Sequence, residues 1–96
     1  MIYEGSRVVG FVMTVVDPAD NSGWIGGLVI DAPQQGRGLG RATVGELLQR
    51  FREEGRSGAA ISYNPADVRA RMLYSSLGFE VTGEFEDDEP VARKNF

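Results

Sequence analysis

The chain has 96 residues, enough for one small domain with one modest core. It has no cysteine and no histidine, which excludes disulfides, thiol nucleophiles and imidazole bases and removes the usual transition-metal ligands, so no metal is expected. A net charge of -4 and a pI of about 4.7 argue against nucleic acid as a partner, because phosphate contacts need a basic face.

Taken in chain order, residues 7–16 (RVVGFVMTVV) are rich in Val and aromatic residues and read as a strand. Residues 17–23 (DPADNSG) are dense in turn formers, and 24–31 (WIGGLVID) read as a second strand, the two forming a hairpin. Gly26 and Gly27 inside it predict a bulge or a close backbone approach. From Leu39 to Glu54 the pattern is helical, with Leu39, Ala42, Leu47, Leu48 and Phe51 on one side and Gly55 as the C-cap. Residues 58–63 (GAAISY) form a short apolar strand. Asn64 then reads as a helix cap and Pro65 as the first helical position, with Ala66, Ala70, Leu73 and Leu77 sharing a face and Gly78 ending the helix. Residues 79–85 are a strand, 86–89 a turn, and 90–96 a short edge strand. The order β-β-α-β-α-β-(β) implies an α/β fold, an α+β sandwich with a mixed sheet and two covering helices. The strands at 24–31 and 58–63 flank a helix and are expected to be joined by a crossover.

No linker, repeat, signal peptide or apolar run of transmembrane length is evident. A single soluble cytoplasmic domain spanning 1–96, with no membrane partner, is the expectation.

The stretch at 34–43, QQGRGLGRAT, lies between a strand and a helix. A helix N-terminus offers unpaired N–H groups and partial positive charge, and glycines let a ligand approach the backbone. Arg37 and Arg41 add charge at the same mouth, so the stretch reads as an anion site, with phosphate the usual anion. The P-loop string is absent, and the dinucleotide fingerprint fails because its third glycine falls on Arg41 or Thr43. The pattern Q/R-x-x-G-x-G/A fits fully on Gln35, Gly36, Arg37, Gly38, Leu39 and Gly40.

With that motif the chain resembles the GNAT superfamily of acetyl-CoA-dependent N-acyltransferases. A second motif adds to the resemblance. The family often carries N-x-x-A-x-x-L-Y-x-x-x-G-F, and residues 67–79 read DVRARMLYSSLGF. Ala70, Leu73, Tyr74, Gly78 and Phe79 match. Asp67 stands where the family often has Asn, and Asn64 either takes over that contact or only caps the helix. Pro65, Arg71, Thr82, Gly83, Glu84 and Glu89 are similar in placement to bacterial spermine/spermidine-type acetyltransferases.

The resemblance implies a GNAT-like, largely antiparallel sheet that binds acetyl-CoA (coenzyme A) as cosubstrate. It implies that residues 35–41 wrap the pyrophosphate, that Leu28, Val29 and Ile30 pair with the pantetheine arm, and that Asn64, Asp67 and Arg71 assist. It assigns Tyr74 the role of acid toward the leaving thiolate. The residue by itself also reads as an amphipathic core tyrosine. With no histidine, the base falls to a carboxylate, Asp31 or else Glu84, or to water. The expected reaction is acetyl transfer to a small-molecule primary amine, with a polyamine-like acceptor as the leading reading. The run 84–89 (EFEDDE) suits a polyamine, but also a plain charged turn. The family's usual opening strand and two helices have no counterpart before residue 7, so the resemblance leaves three readings. The chain is a transferase completed by homodimerisation, a CoA-binding remnant or interaction module, or a fragment.

Overall fold

The computed structural model describes residues 2–4, 7–30 and 39–96. Eight elements follow one another: β1 (Ile2–Glu4), β2 (Arg7–Asp17), β3 (Ser22–Ile30), α1 (Leu39–Glu53), β4 (Gly58–Ser62), α2 (Val68–Ser76), β5 (Glu80–Glu86) and β6 (Glu89–Asn95). The six strands form one sheet in the order β1-β2-β3-β4-β6-β5. Only the β3–β4 neighbours run parallel, across the connection that contains α1.

The turn after β2 is built by short polar side chains. Asp17 Oδ1 accepts from the Ala19 amide at 2.9 Å, the Asn21 amide donates to the Asp17 carbonyl, and Asn21 takes a φ of 59°. β5 and β6 are joined through Asp87 and Asp88, both at positive φ, as the tight right-twisted hairpin turn requires. That turn corrects the edge-strand reading of residues 90–96. β6 lies between β4 and β5, with Val91 and Ala92 buried, and β5 is the exposed edge. The first strand, β1, was not anticipated: three residues are too short for a period-two pattern.

Cross-strand partners share a face, so the pairing sorts the sheet into two sides. Ile25, Ala59, Ile61 and Ala92 lie on one side and are buried against Val44, Leu47, Leu48 and Phe51 of α1. Tyr63, Tyr74 and Phe79 extend the same core, with Ala70, Leu73 and Leu77 packed against it. The α1 stripe is therefore 44, 47, 48, 51, an i, i+3, i+4, i+7 pattern. Ala42, expected on it, is exposed: two residues before Val44, it points away from the sheet.

α2 begins later than its sequence suggests. Asn64 Oδ1 accepts from the Ala66 amide in a local turn at 2.9 Å, while Asp67 is the true N-cap, accepting from the Ala70 amide at 3.0 Å. Pro65 and Ala66 are exposed residues of that turn, not the first helical turn. Gly78 ends the helix at a φ of 94°, a conformation that excludes most side chains.

The close approach foreseen at Gly26 occurs at Gly23 instead. A Cβ on Gly23 would lie 2.7 Å from the ring carbons of Phe51, whereas one on Gly26 would meet nothing. The absent side chain seats α1 against β3. Gly23→Ala is therefore expected to cost about 1–3 kcal/mol by overpacking. Urea unfolding monitored by circular dichroism measures this, and an unchanged midpoint would mean that α1 shifts freely.

Candidate active site

The parallel β3–β4 pairing runs from Ser22↔Gly58 to Ile25↔Ile61. Beyond that point, among the described residues, the strands part. β3 continues against β2 as far as Ile30↔Gly10, while β4 ends at Ser62 and the Tyr63 amide donates to the Pro90 carbonyl. Between the pairs Gly26↔Met13 and Val29↔Phe11, β3 spends one residue more than β2, so a bulge lies at Gly27–Leu28. This is the bulge that the two glycines predicted. A bulge bends its strand away from a neighbour. Among the described residues, the backbone edge of Leu28, Val29 and Ile30 on the side of the gap thus has no strand partner, and such an edge accepts another extended chain.

A cavity of about 190 Å³ sits in the gap. Ile25 and Ile61 line it from the diverging strands, Tyr74 and Asp67 from α2, and Ser62 and Glu89 from β4 and β6. Tyr74 is only 7% exposed, its ring 5.8 Å from that of Tyr63 and 6.0 Å from that of Phe79. Its hydroxyl is pushed up to about 12, first by burial and then by the negative charges of Asp67 and Glu89. At neutral pH it is therefore a phenol and a proton donor.

A second cavity, of about 410 Å³, shares Ile25 and Ser62 with the first. Trp24, Val15, Asp17 and Glu86 line it. Trp24 and Val15 are cross-strand partners on the sheet side away from the helices.

The remaining expected site residues are spread more widely. Asp31, Gln35, Gly36, Arg37 and Gly38 lie outside the described residues. Leu39, Gly40 and Arg41 form the first turn of α1. A Cβ on Gly40 would touch the Leu73 side chain at 3.4 Å, and the Arg41 guanidinium donates to Ser76 Oγ at 2.7 Å, so the mouth of α1 is held against α2. Asn64 and Asp67 border the Tyr74 cavity. Arg71 instead borders a neighbouring groove of about 650 Å³, with Met72 and Ser75, which shares Tyr63 and Tyr74 with the smaller cavity.

Glu84 is engaged elsewhere. Arg93 donates to both of its oxygens, at 2.7 and 3.1 Å, and this pairing holds its carboxyl below the usual carboxylate range. The same guanidinium bonds Asp20 and stacks over Trp24. Sequence reasoning gave Ser62 no role at the site and gave Glu89 only a share in an acidic run suited to a polyamine. Glu89 was legible only as a family match and as part of a charged turn, because its approach to Tyr74 depends on β6 folding back beside β4.

The gap opens at the carboxyl ends of two parallel strands, the usual ligand-binding end of an α/β sheet. One mixed sheet with two helices, parting between its two parallel strands around a buried phenol, is the architecture of an acetyltransferase-like fold. The chain belongs to the Acetyltransferase (GNAT) family, which it matches over residues 1–79. It is 35% identical over 78 residues to the mycothiol acetyltransferase of Kocuria rhizophila, an alignment covering 77% of this chain and 26% of that protein. The chain thus spans about a quarter of the relative's length. Among solved structures, an acetyltransferase of Bacillus subtilis in complex with CoA superposes with a TM-score of 0.85 at 13% identity, covering 98% of this chain and 73% of that one. The PaiA N-acetyltransferase of Thermoplasma acidophilum, in complex with coenzyme A, gives 0.85 at 14% identity, with 98% and 57% covered. At such identities the likeness is one of fold.

Proposed function

We propose that the chain binds acetyl-CoA and transfers its acetyl group directly to a primary amine, with a polyamine-like acceptor. The observation that carries this reading is the gap after Ile25 and Ile61, with an unpaired strand edge on one side and the Tyr74 phenol inside it. Leu28, Val29 and Ile30 offer backbone donors and acceptors to the amides of an extended pantetheine arm. Gln35 and the amides of residues 36–41 meet the pyrophosphate at the N-terminus of α1, with Arg37 and Arg41 adding charge. Asn64 is a neutral polar side chain bordering the cavity. Asp67 serves chiefly as the helix cap, and Arg71 faces the other groove. Tyr74 donates its proton to the departing sulfur.

An acceptor enters from the second cavity, which meets the first at Ile25 and Ser62. Its carboxylates, Asp17 and Glu86, favour a cation. A cytoplasmic homodimer completes the proposal. The exposed apolar side chains of Met13 and Val15, 64% and 65% accessible, give a second copy a surface to cover.

Gly38→Val tests the phosphate site, because it puts a branched side chain where the pyrophosphate must approach. Acetyl-CoA affinity is expected to fall at least tenfold, about 1.4 kcal/mol, with the fold retained. Calorimetry on the folded variant reads this, and unchanged affinity would remove the phosphate-loop assignment. Thiol release with polyamines, amino acids, aminoglycosides and peptide N-termini then identifies the acceptor. Tight acetyl-CoA binding with no transfer to any amine would make the chain a CoA-binding module.

A further inference from the structure

An amine must lose a proton before it can attack a thioester, and the chain has no histidine to take it. Among the described residues, Asp67 and Glu89 are the carboxylates bordering the Tyr74 cavity. Asp67 is committed to the amide of Ala70 as the cap of α2. Glu84, the other carboxylate considered from sequence, is clamped by Arg93. Among the described residues Glu89 has no such commitment: its Oε1 has one long contact, 3.4 Å, from the Ser62 hydroxyl. It is half-buried at the start of β6, directly beside the point where β3 and β4 part. Its charge is close enough to raise the proton affinity of the Tyr74 phenol. Ser62 borders both cavities, so Glu89 stands where an acceptor passing from one to the other would arrive.

We propose that Glu89 is the general base of the acetyl transfer, facing the acid Tyr74 across one cavity. The inference rests on the transferase reading above. The incoming ammonium gives one proton to the Glu89 carboxylate. The freed lone pair forms a C–N bond to the thioester carbonyl carbon as the C–S bond breaks. The sulfur takes the phenol proton of Tyr74. The extra proton on the new amide nitrogen restores that phenol, and Glu89 returns its own proton to water. The titratable groups around Glu89 are Asp67 and Tyr74 on α2, Tyr63 after β4, Glu86 opposite it in the hairpin, and Asp87 and Asp88 in the turn. No lysine or arginine borders the cavity among the described residues, so no fixed cation neutralises the base.

The test compares two nucleophiles at saturating acetyl-CoA. Spermidine is cationic at neutral pH and needs a base, whereas hydroxylamine is already neutral. Glu89→Gln is expected to lower kcat for spermidine at least tenfold and to abolish the rise of activity on the acid side of the pH profile. Hydroxylamine turnover and acetyl-CoA affinity should be retained. Glu89→Asp should keep the pH profile at a lower spermidine rate, and it decides the matter if the Gln variant does not fold. A rise in KM with unchanged kcat would reduce Glu89 to an attractor of cations and overturn the proposal. Equal losses on both nucleophiles would make it structural and do the same. If the parent binds acetyl-CoA but acetylates neither probe, the transferase reading itself falls, and Glu89 with it.

Discussion

Tyr74→Phe is expected to lower turnover about 10²-fold, within the usual range for a positioned acid, and to leave acetyl-CoA affinity nearly unchanged. The substitution keeps the ring, so its edge contacts with Tyr63 and Phe79 persist. Only the hydroxyl is lost, and with it the proton donor that the proposed mechanism requires. A phenol held at about 12 is protonated at every working pH. In the proposed reaction the thiolate would form in the same desolvated cavity, which raises its own proton affinity and favours accepting that proton. A second readout separates the hydroxyl from the ring. The folded state holds the phenol proton more tightly than the unfolded chain, so the parent is unaffected below about pH 10 and loses stability as pH rises toward about 12. The Phe variant should lack that alkaline loss in urea unfolding. If turnover on the best acceptor stays within about twofold of the parent, a change too small for a lost acid, Tyr74 is a packing residue.

Phe51→Ala is the substitution expected to harm stability most, by about 3–5 kcal/mol. Phe51 is 3% exposed and sits in the last turn of α1, against the bare backbone of Gly23. Neither the sheet backbone nor the adjoining turns of α1 can collapse into the space its ring would leave. A domain of this size has about 5–15 kcal/mol in all, so the variant should unfold at much lower denaturant. Its effect should reach the other end of the helix, where Gly40 and Arg41 lie against α2. Chemical denaturation measures the change, and a loss below about 1 kcal/mol would show that Phe51 is not the anchor of α1.

Much of the protein is legible in its residues because the signals are local. The turn formers at 17–21, the helical stripe ending at Phe51, the glycine that closes α2 and the two short motifs each act within a few residues of themselves. The bulge was one of two readings open for the same reason, since glycines inside a strand often mark either a bulge or a close backbone approach. The family followed from the motifs, as did Tyr74 as the residue to test. Errors arose where two local signals competed. Asn64 and Asp67 are both good caps, and only the path of the chain out of β4 settles which one starts the helix. Ala42 and Val44 both suit a helix, and only the sheet beneath α1 selects the stripe.

Position in space has no such local signal. That β6 inserts between β4 and β5 depends on pairing with Gly58–Ser62, about thirty residues away along the chain. That pairing lifts Glu89 out of a charged turn and into the cavity of Tyr74. It also draws Arg93 onto Glu84, withdrawing a carboxylate that looked available. The absence of cysteine and histidine removed thiol and imidazole chemistry. Which carboxylate faces the phenol was decided by the order of strands and by the divergence of β3 from β4, because hydrogen bonding between distant segments, not the identity of either, brings those side chains together.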